Sequence, residues 1–473
     1  MTFPRYPRYK DSGVGWLGEV PAHWEVKRLR YVALLNPSKS EIRPLPAETP
    51  VSFIPMEALG DDGSLVLDQT RALQDVIDGY TYVREGDVVV AKITPCFENG
   101  KAAIMRGLTN EVGLGTTELT VLRPRGPVTT STYLFRVVTS EPFRWLGESH
   151  MYGAGGQKRV PDDFLRDFSI AWPPREEQGR IAAFLDHETG KIDGLIEEQR
   201  RLIELLKEKR QAVISHAVTK GLDPNVPMKD SGVEWLGEVP AHWEVGKIRY
   251  FARLESGHTP SRNHPEYWEN CTVPWFTLAD VWQIRSGEVT EVCDTSEKVS
   301  ELGLAHSSAR VLPKGTVMLS RTASVGFSAI MGRDMATTQD FANWVCEGKL
   351  DSRYLLFCFR AMKEEFSRLM RGSTHKTIYM PDIAELMCAV PPLHEQRKIV
   401  KAIEERLSAT RSLIETATNA VSLLGERRSS LISAAVTGKI DVRGWSAGAE
   451  AEAPELAMVA EESSGYSAQG GAA

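Results

Sequence analysis

The sequence predicts an α+β fold in which two mixed α/β domains alternate with two long amphipathic helices. Three observations carry this prediction. A segment near the start of each half is repeated almost unchanged, each half closes in a matched helical stretch, and the stretches between read as short strands and turns. A repeat whose period is about half the chain is too long for a solenoid unit, and it fits two domains of roughly 100 to 200 residues each.

The repeated segment comes first. Lys10 to Val26 reads KDSGVGWLGEVPAHWEV and Lys229 to Val245 reads KDSGVEWLGEVPAHWEV, with Gly15 against Glu234 as the single difference. Closing each half, PPREEQGRI from Pro173 is echoed by PPLHEQRKI from Pro391, and ISHAVTKG from Ile214 by ISAAVTGK from Ile432. These matches set the expected boundaries. Residues 1–174 hold the first leading segment and domain, 175–222 the first long helix, 223–392 the second leading segment and domain, 393–442 the second helix, and 443–473 an acidic tail.

Inside the domains the pattern is that of strands. GDVVVAKITP after Glu85 and GTVMLSRTAS after Lys314 are matched turn-plus-strand segments, each opened by a glycine and followed by a β-branched run. Further strands are expected at Val51 to Ile54, Thr117 to Leu122, Val273 to Thr277 and Asn343 to Cys346. Tyr133-Leu134-Phe135 and Tyr354-Leu355-Leu356-Phe357 then open helices at corresponding places.

From Glu176 to about Val218, apolar residues recur at Ile181, Phe184, Leu185, Ile192, Leu195, Leu202, Leu206, Val213 and Ile214, in steps of three and four. The counterpart carries Ile399, Ile403, Leu413, Ile414, Val421, Leu424, Leu431 and Ile432, with small Thr410, Ala417 and Ala420 on its seam. A helix of about forty residues is roughly 60 Å long, and a stripe of that length needs a cover. The two helices are therefore expected to pair as a coiled coil, which serves equally as a structural brace or as a ruler between two domains. Lys220, Gly221 and Pro224 end the first helix and Gly438 ends the second.

Composition is that of an ordinary globular protein, with no apolar run long enough to span a bilayer. The N-terminus MTFPRYPRYK is basic without the apolar stretch of a secretory signal, so a cytoplasmic location is expected. Cys96, Cys271, Cys293, Cys346, Cys358 and Cys388 are scattered, with no spacing that suggests zinc or a disulfide framework. The net charge of −7 argues against nucleic acid only at first sight. Much of it lies in Glu450, Glu452, Glu455, Glu461 and Glu462 of the tail, which the Ala, Gly and Ser around them mark as disordered. Meanwhile Lys92, Lys101, Lys158, Arg159, Arg262, Arg321, Arg371 and Lys376 gather near predicted turns and strand ends, a segregation compatible with basic grooves.

The doubled DSGV.WLGEVPAHWEV segments, the PP...EQ exits, the ESGHTPSR stretch at Glu255 and the Gly-rich or Ser/Thr-rich loops at Gly153 and Gly372 together resemble the specificity subunit of type I restriction-modification systems. The resemblance covers essentially everything up to the acidic tail. It implies that each domain is a target recognition domain reading one half of a split sequence in double-stranded DNA. It also implies that the long helices form an antiparallel spacer, relating the domains by a pseudo-twofold, and that two adenine-methyltransferase subunits dock on the frame while motor-nuclease subunits complete the restriction complex. The chain itself would be non-catalytic and carry no cofactor, with S-adenosylmethionine, ATP and Mg²⁺ held by the partners.

Base readout belongs to residues that differ between the halves. The loops MYGAGGQKRVP from Met151 and MRGSTHKTIYMP from Met370 lie at equivalent positions, and their Gln157, Lys158, Arg159, Ser373, His375 and Lys376 are the first candidates for DNA contact. Arg and Lys favour guanine and Gln favours adenine; the competing reading is a solvated surface turn. Lys92, Thr94, Lys101, Ser320, Arg321 and Thr322, which follow the matched strands, rank second. Residues identical in both halves cannot tell two half-sites apart. Trp16, Trp24, Trp235 and Trp243, with Glu177, Gln178, Glu395 and Gln396 of the exits, are therefore assigned to the frame and its docking surface, and His23 and His242 to packing or capping.

No (N/D)PP(Y/F) box of an adenine methyltransferase and no GxxxxGK(S/T) phosphate loop is present. Asp340 followed by Glu347-Gly348-Lys349 loosely mimics a nuclease acidic pair, but the first half lacks an equivalent and a strand with a charged turn explains it. A tandem scaffold that binds two proteins without reading DNA is the competing reading of the whole chain.

Overall fold

The structure, a computed structural model, describes residues 3–154, 156–372 and 376–446. The chain divides into two compact units: Met1–Glu197 with Ser422–Ala473, and Glu198–Val421. Both dividing points fall inside long helices, Arg175–Lys220 and Leu393–Val436, so each unit owns a part of each helix. The first helix, of 46 residues, is roughly 70 Å long at 1.5 Å per residue.

In the first unit, the leading segment folds as a two-stranded ribbon, Tyr9–Asp11 against Glu19–Pro21, with Tyr9 opposite Pro21. Asp11 Oδ1 accepts from the Gly13 N–H at 3.0 Å to close its turn. The second unit repeats this with Met228–Asp230 against Glu238–Pro240, closed by Asp230 and Gly232 at 3.0 Å. The single difference between the copies is structurally free, because a Cβ at Gly15 would meet nothing within 4 Å.

The first unit then builds two four-stranded sheets. One runs in the order Thr70–Ala72, Pro50–Ile54, Val112–Gly115, Thr81–Arg84, with its two central strands parallel. The other runs Ala33–Leu35, Leu119–Pro124, Val88–Ala91, Ala102–Ile104, all antiparallel. The second unit repeats the antiparallel order as Ala252–Ser256, Phe341–Cys346, Val317–Ser320, Ser328–Met331, and adds Glu291–Val292 as a parallel edge. Its smaller sheet, Glu297–Val299, Val273–Phe276, Ala336–Thr337, keeps a parallel pair. Fully buried strands such as Val88–Ala91 read as continuous apolar runs because both faces are covered. The strand expected from Thr117 begins only at Leu119, since Thr116 turns the chain there: its hydroxyl accepts from the Glu118 N–H and its carbonyl from the Leu119 N–H.

Helices Ser131–Val138 and Ser352–Ala361 follow, each opened by an N-cap whose side chain accepts from a backbone N–H: Thr130 from Tyr133 at 3.2 Å, Asp351 from Arg353 at 2.9 Å. Tyr133 and Tyr354 are completely buried at the centres of the two cores.

Each core is completed by both long helices. In the first unit Val20, Trp24, Tyr133 and Trp172 pack in one cluster with Ile181, Phe184 and Leu185 from the first helix and with Leu431, Ile432, Ala435 and Val436 from the second. Contacts from Arg180 to Arg443 and from Asp193 to Arg428 run in opposite chain directions, so the two helical segments there are antiparallel. In the second unit Trp243, Trp344 and Tyr354 pack with Ile214, Ala217 and Val218, and with Ile399, Val400 and Ile403. Both helices end in a glycine with positive φ, Gly221 (+77°) and Gly438 (+75°), and each lies against the tryptophan of its unit's leading segment, Trp243 and Trp24.

Candidate nucleic-acid interface

The frame that carries the candidate loops is fastened by the EQ pair at the start of each long helix. Glu177 is 6% exposed; its Oε1 accepts from the Trp24 indole at 3.2 Å and from the Tyr6 hydroxyl at 2.5 Å, while its Oε2 meets His23 Nε2 at 2.8 Å. Burial and that carboxylate push the Tyr6 hydroxyl far above the ordinary phenol range. Glu395 repeats the arrangement with Trp243 at 3.0 Å and His242 at 2.9 Å. Gln178 and Gln396 are fully buried and tie the first turn to the domain: Gln178 accepts from Thr129 and donates to Val128 and Pro173, and Gln396 accepts from the Asp351 N–H and donates to Lys349 and Pro391. Trp16 stacks on Phe168 with ring centroids 5.4 Å apart, and Trp235 packs on the edge of the second core.

In the first unit, strand Val88–Ala91 runs out into Lys92–Thr94, and the loop from Met151 returns beside it. Val160 N–H donates to Lys92 O at 2.9 Å and Thr94 N–H to Lys158 O at 3.0 Å, while Tyr152 and Arg159 pair across the loop. Gly153 makes the loop possible, since a Cβ there would come within 2.6 Å of the Gln157 carbonyl oxygen. Gln157 and Lys158 are exposed, and Lys92 and Thr94 half-buried. Arg159 makes a bidentate contact with Glu118, at 2.7 and 2.9 Å, which holds the Glu118 carboxyl below its usual range, with Lys92 adding to the effect. Lys101 turns its ammonium to the Met56 carbonyl at 3.3 Å. Tyr152, 65% exposed, adds an aromatic face beside these cations that the sequence did not single out.

The second unit uses the same attachment with different side chains. Strand Val317–Ser320 leads into Arg321–Ala323; Ile378 N–H donates to Arg321 O, Ala323 N–H to Lys376 O, and Thr322 and Arg371 both bridge to Thr377. Arg321 lies flat across this junction, donating to Gln339 O at 2.9 Å and Ile378 O at 3.3 Å. Ser320 is a core position with no exposed surface, and Lys376 is exposed. Ser373 and His375 lie outside the described residues, as does the tail from 447. Three further candidates, Thr259, Gln339 and Tyr379, emerge from the fold. Gly257, where a Cβ would come within 2.2 Å of the Thr338 carbonyl, presses the ESGHTPSR stretch against 337–338, and this sets Thr259 Oγ1 2.8 Å from Gln339 beside Arg321. Exposed Tyr379 (54%) completes the group. Each unit thus presents cations, amides and an exposed tyrosine on its own loop junction, a set suited to phosphates and base edges.

Among the described residues no group of His, Cys, Asp or Glu is arranged to hold a metal ion, and no helix is long and apolar enough to cross a membrane.

Residues 240–422 match the family model of the type I restriction-modification DNA specificity domain. The chain is 44% identical over 165 residues to the EcoAI type I restriction enzyme specificity subunit of Escherichia coli, a stretch that is 34% of this chain and 27% of that protein. It therefore aligns with about a quarter of that relative's length. A putative type I specificity subunit of Methanocaldococcus jannaschii, MjaX, is 24% identical over 94% of this chain and 99% of its own. Among solved structures, a chain from work on assembly and conformational transition of the type I R-M system has the same fold, with TM-score 0.70 at 19% identity over 89% of this chain and 99% of that one. The HsdS subunit of Thermoanaerobacter tengcongensis follows at TM-score 0.53 and 17% identity, over 89% and 98%. With doubled leading segments clamped by doubled EQ pairs and two differing loop junctions, this chain is similar to type I restriction-modification specificity subunits, carries a match to their DNA specificity domain over residues 240–422, and shares the fold of their solved structures.

Proposed function

We propose that this chain is the non-catalytic DNA-reading subunit of a type I restriction-modification complex, each unit reading one half of a bipartite target. The observation that carries the reading is the pairing of a constant frame with differing loop junctions. Trp24–Glu177 and Trp243–Glu395 repeat nearly atom for atom, whereas the junctions differ: one carries Lys92, Gln157, Lys158 and Arg159, the other Arg321, Thr322, Gln339 and Lys376. A frame that is the same twice suits two copies of one partner, here the adenine-methyltransferase subunits. Junctions that differ suit two different half-sites.

In this reading the domains are related by a pseudo-twofold, the paired helices fix the gap between half-sites, and the motor-nuclease subunits join the assembled core in the cytoplasm. S-adenosylmethionine, ATP and Mg²⁺ serve on those partners. Methylome sequencing of a host carrying the partner methyltransferase, with and without this chain, tests the proposal. A split adenine motif is expected only when the chain is present. Exchange of residues 223–392 for those of another specificity subunit is expected to change one half of the motif, and an unchanged motif overturns the reading.

A further inference from the structure

A cavity of about 530 Å³ opens in the second unit between the first long helix and the recognition domain. That volume is within the range of small-molecule sites. Lys207, Arg210, Arg285, Arg360 and Lys363 line it, and no carboxylate does. Two of these cations have partners outside the lining, Lys207 with Glu204 at 2.8 Å and Arg210 with Glu288 at 3.5 Å. Arg285, Arg360 and Lys363 meet no carboxylate among the described residues.

Two of the cations are held in place, whereas Lys207, Arg285 and Lys363 are exposed. Arg210 and Arg360 donate to the carbonyls of Gly287 and Val289, at 2.6 and 2.8 Å, and so fasten the turn that carries Arg285. Burial, and secondarily the charge of Arg210, push the Arg360 guanidinium down to about 10, which is the mark of a cation short of counter-charge. A second observation points the same way. Ser328 lines the cavity at 5% exposure, and its Oγ has no hydrogen-bond partner.

The corresponding seam of the first unit shows that unpaired cations are not a by-product of packing a helix on a domain. That cavity, about 260 Å³, is lined by Arg136, Arg144 and Arg428 but also by Asp61 and Asp62, and Arg136 and Arg428 are bound to Asp186 and Asp193. Charge is balanced there and unbalanced in the second unit. A half-buried cation without a carboxylate partner, as Arg360 is, is costly unless an anion completes it, and charge-assisted bonds to phosphate oxygens are among the strongest such completions.

We propose that the cavity of the second unit is a phosphate-binding site, filled by a phosphate carried either on a DNA backbone or on a free nucleotide. Phe359 and Phe366 supply an apolar wall, and the cations gather the charged group. This site goes beyond sequence reading and borders the second unit's loop junction, whose loop begins at Met370 of the lining.

The test is to titrate the full-length chain with inorganic pyrophosphate, with ATP, and with a duplex of unrelated sequence. R285Q/K363Q is compared with wild type and with K298Q/R310Q, which removes the same charge elsewhere. At least a tenfold weakening for pyrophosphate or ATP, in R285Q/K363Q alone, is expected if the source is a free nucleotide. If the source is DNA, duplex affinity falls in that variant alone and its salt slope drops by about 2, one unit per lost phosphate contact. Equal affinities of R285Q/K363Q and wild type for all three probes, or equal losses in the control variant, overturn the proposal. Arg285 and Lys363 are exposed, so folding is expected to survive, and circular dichroism checks it.

Discussion

Trp24 and Glu177 stand 153 residues apart in the chain, and the indole N–H of one donates to the carboxylate of the other across 3.2 Å in a buried setting. Trp243 and Glu395 repeat the bond at 3.0 Å across 152 residues. Each unit's leading segment is therefore locked to its long helix by one acidic side chain.

Removing that carboxylate leaves buried donors without partners, which costs roughly 1–3 kcal/mol per group. Glu177 also holds the Tyr6 hydroxyl and Glu395 has no such third partner among the described residues, so the two sites are unequal. E177A is expected to lower unfolding stability by about 3 kcal/mol and E395A by about 2 kcal/mol, with E177Q retaining much of the loss. Urea denaturation measures this; equal costs at the two sites would contradict the role given to Tyr6.

Arg123, 8% exposed at its side chain, is bound by Asp87 at 2.8 Å and by Glu41 at 2.6 Å inside the first unit. Breaking a buried pair strands a charge at a cost of about 3–5 kcal/mol, whereas an apolar replacement of both partners can be neutral. D87A is expected to be severely destabilising and D87L/R123M much milder. Thermal unfolding of the two variants decides it, and a double variant worse than D87A would refute the argument.

Glu118 restrains Arg159 at the candidate interface, so E118Q should free a cation and remove an anion there. Affinity for unrelated duplex DNA is expected to rise several-fold, with a salt slope steeper by up to about 1. The pH dependence follows from the depressed carboxyl of Glu118. A carboxyl whose folded pKa lies below its unfolded value, about 4.3, contributes stability that is present above that value and is lost as pH falls through the folded one. Acid unfolding of wild type should therefore lose a component below about pH 4.3 that E118Q lacks. Parallel acid transitions in the two proteins would remove this assignment.

Gly438 and Gly221 end equivalent helices but are not equally confined. A Cβ at Gly438 would meet Pro21 Cδ at 2.3 Å, and one at Gly221 would meet Trp243 Cζ2 at 3.2 Å. Both substitutions carry left-handed strain of about 1 kcal/mol, and only Gly438→Ala adds a hard clash with a ring. G221A is expected to cost about 1 kcal/mol and G438A clearly more, as read from denaturation midpoints.

The long helices are legible in the sequence because steps of three and four persist through Ile181, Phe184, Leu185 and Ile192, and glycine stops them. The buried strands at Val88 and Val317 show as apolar runs after glycine turns. Short edge strands such as Thr70–Ala72 and Ala102–Ile104 leave no comparable mark, since three residues cannot display a period. The interface is less legible for a different reason. Arg159 finds its carboxylate 41 residues away and Thr259 finds Gln339 80 residues away, so neither pairing has a local signature. The loops announce themselves by composition, while what each side chain does there is settled by distant parts of the chain.

The sharing of each long helix between units has a consequence for synthesis. Residues 198–421 form a continuous stretch that can close its core as soon as it leaves the ribosome. The first unit cannot: Ile181, Phe184 and Leu185 wait for Leu431 and Val436, which lie 234 and 239 residues after Glu197. At translation rates of about 5–20 residues per second, this apolar face stays uncovered for on the order of ten to fifty seconds. The half made first is the half finished last.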